Sequence, residues 1–254
     1  MILAVDVGNT NIVLGCIDEG KILSVVRIHT DTRETEAEYT IKLKDIICAY
    51  GMDLKAIEGV VLCSVVPPVT EAIRLAVKQL TGLDCMIVGP GMKTGMNIRI
   101  DDPGTVAGDL IVGGVAAMHY YGMPAIVLDL GTATTATVID EKGSFRGGAI
   151  MPGIRLSYRA LASGTSLLPE ISITPPKKCI STNTVDCMRS GAVFGNASMI
   201  DGLIDRMEEE LGMKCRVVAT GGLASSIVPF CRHEIELDDD LLLKGMWYLY
   251  EKNR

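Results

Sequence analysis

The chain repeats a short pattern at about half its length. Asp6 aligns with Asp129 and Gly8 with Gly131, an offset of 123 residues. Each copy reads as an aliphatic strand, a tight turn carrying Asp-x-Gly with hydroxyl or amide side chains, and a second strand. Either copy alone predicts only a β-hairpin. Two copies at half-chain spacing predict a duplicated α/β domain.

The remaining pattern alternates strands with helices. Predicted strands cover residues 59–66, 86–88 and 216–219. Predicted helices cover residues 36–51, 70–81, 106–121 and 239–251, with one long or broken helix over 184–211. Gly and Pro punctuate the chain at residues 122–124. The sequence therefore predicts two domains, 1–121 and 122–254, with no low-complexity linker between them.

Composition restricts the class of protein. Aromatic residues make up only 4% of the chain and hydrophobic residues 48%, so the core must be aliphatic, as in buried parallel strands. The net charge of -7 argues against a nucleic-acid surface, which needs clustered Lys and Arg. A bound nucleotide would therefore be held locally, by backbone N–H groups and metal ions.

The sequence gives no sign of export or membrane insertion. The first residues lack a basic leader, and Asp6 interrupts their apolar run, unlike a signal peptide. The longest apolar stretch, 59–69, is about half of the ~20 residues that a membrane span needs. The eight cysteines form no Cys-x-x-Cys pair, and the three histidines are scattered. These features predict a cytoplasmic protein with reduced thiols, no membrane partner and no histidine metal site.

The two Asp-x-Gly turns suit phosphoryl transfer. Gly8 and Gly131 allow the turns and leave room for a phosphate group. Backbone N–H groups in such turns can bind phosphate oxygens. The carboxylates of Asp6 and Asp129 can each hold a cation, directly or through water. A pair of such turns is stronger evidence for this chemistry than one alone.

These motifs resemble the two phosphate motifs of type III pantothenate kinases. The matching segments are Asp6-Val7-Gly8-Asn9-Thr10-Asn11 and Asp129-Leu130-Gly131-Thr132-Ala133-Thr134-Thr135. Residues 147–154 also resemble the family's Gly-Gly-x-Ile-x-Pro-Gly segment, and the likeness extends over nearly the whole chain. The resemblance implies an actin/hexokinase-like fold, with duplicated ribonuclease H-like domains and ATP in a central cleft.

The resemblance also implies an activity and its ligands. It implies transfer of the ATP γ-phosphoryl group to pantothenate, giving 4'-phosphopantothenate in the first step of coenzyme A synthesis. The residues implied along the ATP phosphates are Asp6, Val7, Gly8, Asn9, Thr10, Asn11, Ile12 and Val13. Asp6 would lie near magnesium, Asp129 would bind potassium or ammonium, and Thr132 would contact ATP. The segment 220–222 would approach the adenosine.

The family's pantothenate motif, Gly-Ala-Asp-Arg, is only partly kept. The equivalent residues here are Ala107, Gly108, Asp109 and Leu110. The resemblance makes Asp109 the catalytic base, whereas the residues alone would place an acid in the first turn of a helix. Leu110 replaces the family's arginine and cannot hydrogen-bond to a carboxylate or hydroxyl.

Two alternatives follow from this replacement. Another group, such as Arg99 or Arg155, supplies the missing contact, or the enzyme holds its substrate more weakly. The resemblance implies two further substrate contacts, Thr165 and Thr184. Thr184 would reach pantothenate from the neighbouring subunit of a homodimer. Its local sequence also suits a helix N-cap.

Two other functions stay open at this level. The first is a kinase or phosphatase of the same fold that acts on another small acid. The second is a nucleotide-binding regulatory protein without turnover, which the replacement of arginine by Leu110 keeps in play. Because one superfamily hosts kinases, hydrolases and filament proteins, fold alone does not choose between them.

Overall fold

The computed structural model describes residues 1–254, which form two compact units. The first unit comprises residues 1–95, 102–116 and 241–254, and the second comprises 96–101 and 117–240. The last helix thus groups with the first unit, whereas a division after residue 121 would assign it to the second domain. None of the helices is both long and apolar enough to span a membrane.

Eleven strands form two mixed sheets, one in each unit. The first sheet contains β1 (Ile2–Val7), β2 (Asn11–Asp18), β3 (Lys21–His29), β4 (Gly59–Ser64) and β5 (Cys85–Ile87). The second contains β6 (Asn97–Ile98), β7 (Ala125–Leu130), β8 (Ala133–Ile139), β9 (Ser144–Pro152), β10 (Arg216–Thr220) and β11 (Glu236–Leu237). Their strand orders are β3-β2-β1-β4-β5 and β11-β10-β7-β8-β9-β6.

Eight α-helices complete the fold. They are α1 (Glu36–Ala49), α2 (Pro67–Thr81), α3 (Gly108–Tyr120), α4 (Ile154–Ser163), α5 (Thr184–Ser190), α6 (Asn196–Leu211), α7 (Ala224–Ile227) and α8 (Leu241–Asn253). Short 3-10 turns occupy Leu54–Ala56, Pro103–Thr105 and Val228–Phe230. The predicted helix over 184–211 is broken, because a π-helical turn at Gly191–Gly195 separates α5 from α6.

The predicted duplication is visible within each sheet. In both β1 and β7 the aspartate is half-buried and its five neighbours are buried. Asp6 pairs with Val13, but Asp129 pairs with Thr135, so the second turn is one residue shorter. The 123-residue offset therefore holds up to the turn and drops by one in the strand that follows. No strand was predicted at β3 or β9, whose alternating exposed residues weaken the apolar signal, nor at the two-residue strands β6 and β11.

Each sheet packs against helices through an aliphatic core. In the first unit, β1, β2 and β4 bury side chains against α1 and α2. In the second, β7, β8 and β10 pack against α4 and α6. Helix α8 packs closely against β4 of the first sheet and against α3, each time at a glycine. A side chain on Gly59 would overlap Tyr250, and one on Gly245 would lie 2.8 Å from Val112 Cγ1.

Candidate active site

The first predicted phosphate turn connects β1 to β2. The backbone N–H of Gly8 donates to the Asn11 carbonyl at 2.9 Å, and a Cβ on Gly8 would lie 3.2 Å from that oxygen. Thr30, just after β3, braces the turn from outside. Its hydroxyl donates to the Gly8 carbonyl at 2.6 Å, and its N–H donates to the Thr10 carbonyl at 3.0 Å. Thr30 was not predicted from the sequence because it lies 20 residues after Thr10 along the chain.

The residues of this turn differ in what they can offer a ligand. Val7 and Ile12 are fully buried in the core, so only their backbone groups are available. Asn9 and Thr10 are exposed, and Asn11 is half-buried. Any side-chain contact with a nucleotide in this turn therefore belongs to the polar residues.

A buried cysteine lies beside two of the predicted acidic residues. Cys63 pairs with Asp6 across the parallel strands β1 and β4. Burial raises the pKa of the Cys63 thiol well above its usual value, and the nearby charges of Asp6 and Asp109 raise it further. The thiol therefore stays protonated and donates a hydrogen bond to Asp6. The structure thus brings Asp6 and Asp109 to one place, around a neutral donor.

Asp109 is the second residue of α3, as the helix-start interpretation predicted. Its Oδ1 accepts a hydrogen bond from the Leu110 N–H at 2.8 Å, and burial raises the pKa of its carboxyl group. Gly108 lets the helix begin against β4, because a Cβ there would lie 3.3 Å from Cys63 Sγ. The side chain of Leu110 is half-buried and adds no polar group.

The second predicted turn connects β7 to β8 around Asp129. The Gly131 N–H donates to the Ala133 carbonyl at 3.0 Å, which closes the turn. Gly221 packs directly against Asp129, and the φ of Gly221 is +96°. A Cβ on Gly221 would overlap Asp129 Oδ1 and lie 2.7 Å from the Leu130 nitrogen. The predicted adenosine segment therefore packs onto this turn, and glycine is what permits it.

Another glycine covers the other side of this turn. The Gly153 N–H donates to the Thr132 carbonyl at 3.1 Å, and a Cβ on Gly153 would lie 2.6 Å from the Gly131 oxygen. The hydroxyl of Thr134 is buried without a hydrogen-bond partner. Sequence analysis noted Gly153 only as part of a family-like segment and did not connect it with the turn.

A group outside these turns also became visible only in the structure. His233 Nε2 lies 2.9 Å from Asp205 Oδ1, and one ligand atom each from His233, Asp205 and Glu208 lie within 4.8 Å of one another. Glu208 already accepts hydrogen bonds from Lys214 Nζ at 2.6 Å and from the Cys215 N–H at 2.9 Å. The cluster is thus a hydrogen-bonded network, which the sequence did not indicate because His233 lies far along the chain from Asp205 and Glu208.

Comparison with known proteins identifies the family. The model of the type III pantothenate kinase family matches residues 2–206. The chain belongs to the type III pantothenate kinase family. A type III pantothenate kinase from Moorella thermoacetica is 44% identical over 253 residues, covering 100% of both chains. One from Halalkalibacterium halodurans is 42% identical with the same coverage.

The fold of this type III pantothenate kinase family member is also confirmed. A hexokinase of the ROK type from Thermus thermophilus superposes with a TM-score of 0.53 at 14% identity, covering 100% of this chain and 99% of the other. At that identity the likeness concerns the fold alone. It agrees with the predicted actin/hexokinase-like class and with two mixed sheets.

The two threonines matched to the type III pantothenate kinase family lie at the ends of helices in the second unit. Thr165 is exposed, and its hydroxyl donates to the Leu161 carbonyl at 2.9 Å. Thr184 is exposed as the first residue of α5. The N-cap is Asn183, whose side-chain oxygen accepts from the Asp186 N–H at 2.9 Å. The alternative that Thr184 caps the helix is therefore wrong.

Proposed function

We propose that this protein phosphorylates pantothenate with ATP, producing 4'-phosphopantothenate in the first step of coenzyme A synthesis. The observation that carries the proposal is the convergence of Asp6 and Asp109 around Cys63 in a member of this family. One carboxylate can serve the nucleotide's metal ion while the other accepts a proton. We also propose that this reaction takes place in the cytoplasm.

Asp109 acts as the general base. As the substrate's terminal hydroxyl oxygen bonds to the γ-phosphorus, its proton passes to the Asp109 carboxylate, and the bond to the ADP oxygen breaks. The raised pKa of Asp109 supports this role, because a carboxyl group in an apolar setting holds a proton more readily than one in water. The Cys63 thiol is too weakly acidic to compete as a proton acceptor.

Two cations complete the proposed site. Asp6 would hold magnesium, directly or through water, because magnesium prefers carboxylate and water ligands. Asp129 would hold a monovalent cation, potassium or ammonium. The space at its carboxylate supports this assignment, since a Cβ at Gly221 would fill it and one at Gly131 would lie 3.3 Å from Oδ1. When bound, these cations neutralise phosphate charge during transfer.

The first test measures ATP turnover with and without pantothenate, in sodium and then in potassium or ammonium buffer. We expect turnover only with pantothenate, and a several-fold or larger rise when sodium is replaced. Asp129→Asn keeps the side-chain volume but should remove the response to the cation. Turnover of another small acid in place of pantothenate would contradict the substrate assignment, and bound ATP without turnover would favour a regulatory protein.

A homodimer with shared active sites is the second part of the proposal. Five large apolar side chains between residues 150 and 180 are exposed, and exposed apolar surface of this kind is typical of protein–protein interfaces. They are Ile150, Leu156, Leu161, Leu167 and Ile180. Thr184 follows this stretch, and its hydroxyl is not used to cap α5. Covering these side chains with a second copy would place Thr184 near the interface.

Mixing two inactive variants tests the shared site. Asp109→Asn subunits and Thr184→Ala subunits should each be inactive, while their hybrid dimers should each assemble one site with both residues intact. We therefore expect recovery of up to about a quarter of wild-type activity after random subunit exchange. Proven exchange without recovery would contradict the shared site, and a monomer in solution would contradict the dimer.

A further inference from the structure

The second unit contains a cavity of about 360 Å³ with an arginine-rich wall. Arg155, Tyr158 and Arg159 of α4 form one side, and the segment 170–173 forms the other. Residues three and four apart share a helix face, so the three α4 side chains point the same way. The volume lies within the range of small-molecule pockets.

The two cavity arginines have no acidic partner. Arg155 and Arg159 are exposed, and neither forms an ion pair or a hydrogen bond with a side chain of this protein. Other surface arginines here do find partners, such as Arg74 with Glu71 at 2.6 Å. Two adjacent unpaired guanidinium groups are notable in a chain of net charge -7. Their mutual repulsion is relieved if an anion lies between them.

A third guanidinium stands behind the opposite wall. Arg189 Nη2 donates to Ser172 Oγ at 3.2 Å, and Nη1 donates to Asp186 Oδ1 at 3.3 Å. Its Nε is buried without a hydrogen-bond partner. Because Ser172 lines the cavity and accepts from Arg189, its own proton can be donated elsewhere. The three arginines outweigh Glu170 and Asp186, so this region is locally positive.

The other residues that line the cavity indicate which kind of ligand it can bind. Burial raises the pKa of Tyr158, so its phenol stays protonated and can donate at neutral pH. Ile171 and Ile173 are half-buried and add an apolar surface beside the donors. The cavity thus combines several donors with room for a short carbon skeleton.

We propose that this cavity binds a small phosphate monoester, with the phosphate held between Arg155 and Arg159. Two guanidinium groups balance the two negative charges of a phosphate dianion, whose three terminal oxygens can accept hydrogen bonds from both arginines, whereas a single carboxylate offers one charge and two oxygens. Tyr158 and Ser172 donate further hydrogen bonds, and the isoleucines contact the organic part. The residues that line this cavity do not include Asp6, Asp109 or Asp129, and the inference does not depend on kinase activity.

Calorimetric titration with glycerol 3-phosphate tests the proposal. The protein is first saturated with magnesium and a non-hydrolysable ATP analogue, so that the phosphate turns are occupied. We expect saturable binding that weakens about tenfold or more in Arg155→Gln and in Arg159→Gln, because each loses a charge-assisted contact. The matched control is Arg206→Gln, an exposed arginine on α6 whose side chain donates to the Gly202 carbonyl. It should bind the probe as the wild type does.

Further measurements also test whether the cavity binds a phosphate monoester. The catalytically impaired Asp109→Asn variant should bind the probe normally, which separates this site from the proposed reaction. Absence of saturable binding in the wild type would overturn the inference. So would equal affinity in wild type and both cavity variants, or equal binding of 3,4-dihydroxybutyrate, in which a carboxylate replaces the phosphate ester group of the probe.

Discussion

Asp109→Asn is expected to lower turnover by roughly 10²–10⁴ while ATP affinity changes little. Asparagine keeps the shape and the hydrogen bond from the Leu110 N–H, but it cannot accept the hydroxyl proton. Steady-state kinetics with both substrates, together with ATP binding measured separately, check this result. Unchanged turnover would show that Asp109 is not the base.

The same substitution should change pH dependence and stability in defined directions. Activity of the wild type should fall at acidic pH, with a midpoint above the usual aspartate pKa of 3.8, because Asp109 must be deprotonated. The raised pKa also means that the folded state binds this proton more tightly than the unfolded chain. The folded state therefore loses stability as pH rises through the pKa of Asp109. Because asparagine carries no charge to bury, Asp109→Asn should raise the melting temperature at neutral pH. A lowered melting temperature would contradict the burial argument.

Gly221→Ala is expected to reduce activity by about 10²-fold or more and to destabilise the protein. The φ of +96° disfavours a side chain, at a cost of about 1–2 kcal/mol for an alanine in left-handed backbone. In addition, the new Cβ would overlap Asp129 Oδ1, forcing the carboxylate or the segment 220–222 to move. A displacement of about 1 Å in a catalytic site can lower the reaction rate by about 10²-fold.

Gly222→Ala provides the matched control. Gly222 is the next residue, has no atom within 4 Å of an added Cβ, and does not need positive φ. The potassium response and thermal unfolding should therefore stay close to wild type, and turnover is compared at saturating ATP because the segment 220–222 is predicted to approach the adenosine. Equal effects at both positions would mean that the close packing of Gly221 on Asp129 has no special role.

The sequence determined the features that depend on local pattern. Aliphatic runs followed by Asp-x-Gly located β1 and β7 and their turns, and the spacing of the two copies indicated the duplicated fold. The bounds of the predicted helices came within two residues, apart from α2, which begins three residues earlier, at Pro67, because proline is tolerated in a first turn. Helices α4 and α7 were not predicted. Asp6, Asp109 and Asp129 were all named from motifs.

The tertiary structure alone decided which distant residues meet at these motifs. Cys63 reaches Asp6 through the register of a parallel strand pair, and Thr30, Gly153 and Gly221 reach the turns from other elements. Local patterns carry strand and helix periods, but the register between strands separated by more than 50 residues is fixed by packing of the whole core. The sequence therefore specified the acidic groups, while folding supplied the neutral donor and the glycine contacts around them.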